Sequence, residues 1–169
     1  MKRTLVSILA SLLTLIVVCA AATAPSKFAG VWKLNRDKSE GLTGALANAE
    51  VLLFVTQDEK RITTEQKTII RGREQTSQEF TYKLDGGETT ADVVRPLAGT
   101  MNLKASWIEA TKTLELTSSI TGENNGKEVT VKTREQWQLM ENGKALQIIR
   151  ARESFQGKQR FKLYFERQE

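Results

Sequence analysis

A chain of 169 residues with 25 basic and 20 acidic side chains, one cysteine and no histidine excludes much chemistry at once. Without imidazole there is no Ser-His-Asp or Cys-His arrangement, no histidine-ligated zinc and no imidazole acid-base step. The formal charge of +5 is spread along the sequence rather than gathered in a stripe, so nucleic-acid binding is not expected.

The opening MKRTLVSILASLLTLIVVCAAATAP has two basic residues, an uncharged apolar run from Leu5 to Val18, then small residues. This is the three-part layout of a secretory signal peptide. The apolar run is shorter than the roughly 20 residues a helix needs to cross a bilayer, so no stable membrane span is expected after cleavage. Ala20 and Ala22 put the cut after Ala22, and Val18 before Cys19 argues against lipidation. The expected organisation is a signal peptide over 1–22 and a single domain over 23–169, exported to the periplasm or the extracellular space. Cleavage removes Lys2, Arg3 and Cys19. The remaining domain lacks thiol chemistry and thiolate metal sites, is expected to carry no cofactor, and rests on packing alone, for which its length is sufficient.

Period-two runs bounded by turn residues follow in chain order. Strands are predicted at 29–35, 50–57, 60–70, 75–84, 88–94, 101–109, 112–120, 127–139, 144–154 and 158–167. Between the first two, Leu42, Ala45, Leu46 and Ala49 recur at helical spacing, which predicts a short helix. The fold class expected is all-β: an antiparallel up-and-down β-barrel of about eight to ten strands, with that helix between strands one and two.

A two-residue hairpin loop fixes register, and register fixes which side chains share a face. With Asn142-Gly143 as a loop, Leu139 meets Leu146, Trp137 meets Ile148, Glu135 meets Arg150 and Thr133 meets Arg152. With Gln156-Gly157 as the next, Ile148 meets Phe165, Arg150 meets Leu163 and Arg152 meets Phe161. One face then carries Val131, Trp137, Leu139, Leu146, Ile148, Phe161, Leu163 and Phe165, and its reverse is polar. Upstream, Ala110-Thr111 pairs Trp107 with Leu114, Ala105 with Leu116 and Met101 with Ile120. Asp58-Glu59 pairs Val55 with Ile62 and Leu53 with Thr64.

That register puts a carboxylate inside. Glu135 faces Arg150 at a separation that lets the two meet, and Arg152 lies two residues nearer the rim. One reading is a satisfied ion pair that fixes register and does nothing else. The other counts two inward arginines against one carboxylate among apolar walls, which describes a site for an amphipathic anion. Its candidate ligand-binding residues are Arg150, Arg152, Glu135, Trp107 and Trp137.

In KFAGVWKLNRDKS, residues 27–39, Phe28, Gly30, Trp32, Lys33 and Leu34 resemble the opening of fatty-acid-binding proteins. Gly30-Val31-Trp32 is similar to the G-x-W signature of lipocalins. The string with Asn35, Lys38 and Ser39 resembles exported bacterial lipocalin-like proteins. The resemblance covers about a dozen residues and implies that Trp32 plugs the closed end of a barrel, with the helix near its mouth. The lipocalin T-D-Y motif is absent. Lys162-Leu163-Tyr164 stands where the R-x-Y headgroup clamp would be, so ligand identity does not transfer.

Three function classes remain. The first is a barrel binding a small hydrophobic or amphipathic molecule. The second is an inhibitor or envelope module with a filled core and a protein partner. The third, an enzyme, is not expected, since paired-carboxylate hydrolysis needs a second inward acid facing Glu135.

Overall fold

The computed structural model describes residues 28–169 apart from Thr76, Pro96 and the side chain of Ala45. The expected signal peptide lies outside the described residues. Eleven strands form one antiparallel sheet: β1 (Gly30–Leu34), β2 (Glu50–Gln57), β3 (Arg61–Ile70), β4 (Arg73–Glu74), β5 (Glu79–Lys83), β6 (Glu88–Val93), β7 (Gly99–Ile108), β8 (Thr113–Asn124), β9 (Lys127–Met140), β10 (Ala145–Ser154) and β11 (Gly157–Gln168). The order is β4-β3-β2-β1-β11-β10-β9-β8-β7-β6, and β5 also pairs with β3. The predicted strand over 75–84 is divided, with β4 a two-residue stub and β5 starting at Glu79.

No ladder joins β5 to β6 among the described residues, so the sheet is not closed by backbone pairing. Side chains link the two strands' neighbourhoods instead. Thr89 Oγ1 donates to the Thr81 carbonyl at 2.6 Å, and Gln78 Nε2 donates to the Asp92 carbonyl at 2.5 Å.

The predicted helix survives as one turn, α1 (Ala45–Asn48). Left-handed Gly41 and Gly44 interrupt the chain ahead of it. Glu40 is held as a backbone bridge to Lys162, while Ser39 Oγ donates to the Asn35 carbonyl and accepts from the Tyr164 amide. The apolar spacing is still used: Ala49 is buried, and Leu42 and Leu46 pack on the core.

Two hairpins keep the register read from sequence. Leu139, Trp137, Glu135 and Thr133 face Leu146, Ile148, Arg150 and Arg152. The loop is four residues, Glu141 to Lys144, rather than two: Glu141, Asn142 and Gly143 lie at φ 50°, 55° and 86° and the Glu141 carbonyl accepts from the Lys144 amide, a connection that is symmetric about Asn142-Gly143 and so gives the same register. Trp107 faces Leu114 and Ala105 faces Leu116; this ladder ends at Asn102 and Ser119, one step short of the expected Met101–Ile120 pair.

The other two hairpins slip by two residues. Asp58 Oδ1 accepts from the amides of Lys60 and Arg61, both at 2.7 Å. This centres the turn on Glu59-Lys60 and pairs Val55 with Thr64 and Leu53 with Gln66. In the last hairpin the loop is Phe155-Gln156, because Gly157 at φ 105° follows the turn, and the Gln156 amide is held by Ser154 Oγ. Arg150 therefore faces Phe161, Ile148 faces Leu163 and Arg152 faces Gln159. A slip of two keeps every side chain on its face, so the inner face expected from sequence is unchanged although both turns move. Trp137, Leu146, Ile148, Leu163 and Phe165 are each no more than 1% exposed; Leu139 is partly buried against them.

Gly30 and Trp32 are explained by one neighbour. Trp32 is fully buried and its Nε1 donates to the Phe28 carbonyl at 2.9 Å. The Arg167 guanidinium lies 4.1 Å from its ring centre and donates to the carbonyls of Ala29 and Gly143. Gly30 sits at φ 145°, and a Cβ there would fall 2.5 Å from Arg167 Nη1. The spacing of glycine and tryptophan thus makes room for a cation over the indole face.

Candidate ligand-binding site

Because β7 to β11 pair in consecutive order, inward residues form rows across the sheet. One row reads Leu114, Trp137, Ile148, Leu163 and is wholly apolar. The next reads Ala105, Leu116, Glu135, Arg150, Phe161, and the third Leu103, Ser118, Thr133, Arg152, Gln159. Polar character therefore begins at Glu135 and broadens one row farther on. Beyond it Met101, Ile120 and Val131 are again buried and apolar.

At the second row Arg150 Nε donates to Glu135 Oε1 at 2.6 Å, and Trp137 Nε1 donates to Glu135 Oε2 at 2.7 Å. Both carboxylate oxygens are thus occupied. Arg150 also donates to Gln66 Oε1 across the interior, at 3.3 Å. The two ionic side chains are 19% and 16% exposed, Arg150 and Glu135 respectively, so the pair is shielded without being dry.

Arg152 differs. Its Nε is buried and has no hydrogen-bond partner among the described residues. Both arginines and Glu135 line a cavity of about 400 Å³. Leu53, Phe80, Tyr82, Met101, Val131 and Trp137 give it apolar walls; Thr64, Gln66, Gln78, Ser118 and Thr133 add polar groups, and Arg95 contributes a third guanidinium. Glu135 is the one acidic residue among the lining residues described. Burial, together with the charge of Glu135, pushes the Tyr82 phenol well above its ordinary range and keeps it neutral.

The structure thus brings together four of the five predicted ligand-binding residues: Glu135, Trp137, Arg150 and Arg152. Trp107 does not join them. It packs at the edge of the core near the β7–β8 turn, and its Nε1 donates to Glu109 Oε2 at 2.6 Å. Sequence reasoning missed Gln66, Tyr82 and Arg95. Alternation from Thr64 signals Gln66, and alternation within β5 signals Tyr82, whereas Arg95 lies in a loop with no period to read.

A larger concavity of about 510 Å³ lies along β7 to β11; it is bordered by the outward-facing Lys104, Lys132, Arg134 and Glu153 and also by Leu103, Ser118, Thr133, Arg152 and Gln159 of the inward row, so Arg152 borders both spaces. Arg134 there is paired with Glu115, and Lys158 with Glu153, as on an ordinary solvated face. Arg152, which carries the unpartnered buried group, stands on the inward row beside Arg150 and Glu135. No helix among the described residues is long and apolar enough to cross a membrane. The chain matches no protein-family model and no curated protein.

Proposed function

We propose that this chain is an exported, lipocalin-like binding protein whose strands work as a β-barrel and hold a small amphipathic anion in the interior cavity. Arg152 receives the anionic group, and the Glu135–Arg150 pair builds the wall beside it. The carrying observation is the Arg152 Nε: buried, cationic and without a partner among the described residues. An unpaired buried donor is costly, and Arg152 lines the cavity with no carboxylate paired to it among the described residues, so an anionic guest beside its guanidinium offsets the unpaired charge. The cavity's volume lies at the small end of the range for ligand sites. The side-chain links between β5 and β6 support closure, and the signal-peptide layout of residues 1–22 supports export.

The cavity favours this reading over an interaction module with a filled core. Among the described residues a catalytic reading lacks the second lining carboxylate that glycoside hydrolysis requires. The test is calorimetric titration with octyl phosphate. The native protein should bind it, and Arg152→Met should weaken binding at least tenfold while leaving the unfolding midpoint unchanged or raised. Equal affinity in the two proteins would remove Arg152 as the anion partner.

A further inference from the structure

The interior is banded. Apolar rows at Trp137 and at Val131 enclose a polar row of Ser118, Thr133 and Arg152 on β8, β9 and β10, with Thr64 and Gln66 of β3 also lining the cavity. A cavity shaped for an alkyl chain would have no use for hydroxyls there. The Thr64, Ser118 and Thr133 hydroxyls make no side-chain hydrogen bond among the described residues, although Thr64 is only 7% exposed. An alkyl chain laid along this row would displace water and leave those groups unpaired, a penalty that selects against it.

Resting on the anion-binding reading above, we infer that the ligand is a compact anion on a polyhydroxylated body, a sugar phosphate or sugar acid in chemical class, rather than a long-chain lipid. Its anionic group meets Arg152. Its hydroxyls take up the capacity of Thr64, Ser118 and Thr133. The flat, weakly polar face that a pyranose presents suits the Phe80 and Tyr82 rings on β5. The selectivity follows from the asymmetry of hydrogen bonding: a site built for hydroxyls rejects an analogue that lacks them more strongly than an apolar site rejects an added hydroxyl.

The experiment compares four probes on the full chain by calorimetry: glucose 6-phosphate, gluconate, octyl phosphate and inorganic phosphate. At least one of the two sugar-derived anions should bind tenfold or more tightly than octyl phosphate and inorganic phosphate, and which of them leads distinguishes a phosphate site from a carboxylate site. Thr64→Val and Thr133→Val preserve side-chain volume and remove the hydroxyls. Each should lower the sugar-anion affinity at least fivefold and leave octyl phosphate binding no weaker, or tighter as the unpaired hydroxyl is removed, with thermal unfolding confirming that each variant is folded. Octyl phosphate binding as tightly as the sugar anions would overturn this inference and leave the anion reading standing. Inorganic phosphate binding as tightly as they do would remove the role of the hydroxyls. Failure of all four to bind would overturn both.

Discussion

Replacing Glu135 by Gln isolates the interaction on which the interior depends. Glu135 accepts from Arg150 Nε at 2.6 Å and from Trp137 Nε1 at 2.7 Å. A glutamine offers one carbonyl oxygen, so one donor keeps a neutral acceptor and the other meets an amide NH2. Hydrogen bonds to charged groups contribute about 1.5 to 3 kcal/mol each, and losing one partner of a fully buried pair costs about 3 to 5 kcal/mol. Both side chains are less than one-fifth exposed, but they border a cavity that readmits water to the stranded guanidinium. The expected loss is therefore about 2 to 3 kcal/mol, or a fall in Tm of roughly 5 to 10 °C. Urea unfolding followed by tryptophan fluorescence measures it, with Arg150→Met and the double variant completing a cycle. The double variant should lose less than the summed singles by about 1 kcal/mol or more. A single-variant change under about 0.5 kcal/mol, or strict additivity, would refute the reasoning.

Gly30→Ala should lower stability by about 1 to 3 kcal/mol in urea, because φ 145° is strained for alanine and its Cβ would displace the Arg167 guanidinium from the Trp32 face. Asp58 makes stability pH-dependent in a defined direction: the Lys60 and Arg61 amides hold its carboxyl below the ordinary 3.8. Its contribution is thus complete above that value and disappears as pH falls through the lower folded one. The gap in urea midpoint between native protein and Asp58→Ala should be full at neutral pH and shrink steadily below about pH 3.8; a gap that widens in acid would contradict the turn geometry.

The inner face of the last three strands was legible because its alternation tolerates error. Asn142-Gly143 fixed the Glu135–Arg150 encounter directly, whereas Gln156-Gly157 and Asp58-Glu59 misplaced their turns without moving a side chain to the other face. What misled there was local capping. The Asp58 carboxylate and the Ser154 hydroxyl each bind backbone amides, and residue preferences for a two-residue loop do not register that. The short helix between the first two strands is present but only one turn long, because Leu42, Leu46 and Ala49 reach the core without continuous helix and two left-handed glycines precede the turn. Trp107 shares the inner face but sits at its edge, a position along the strand that alternation alone does not assign. The hydroxyls of the polar row were individually visible in the sequence. The alignment of Ser118 and Thr133 with Arg152 across β8, β9 and β10 depends on two registers at once.

The most direct test of an anion held by Arg152 is to watch both guanidinium groups by NMR while octyl phosphate and glucose 6-phosphate are added in turn. The account predicts that the Arg152 Nε–H resonance shifts and gains protection from exchange, while that of Arg150, already bonded to Glu135, stays in place. An Arg150 response with a silent Arg152 would contradict it, as would no response from either to both probes.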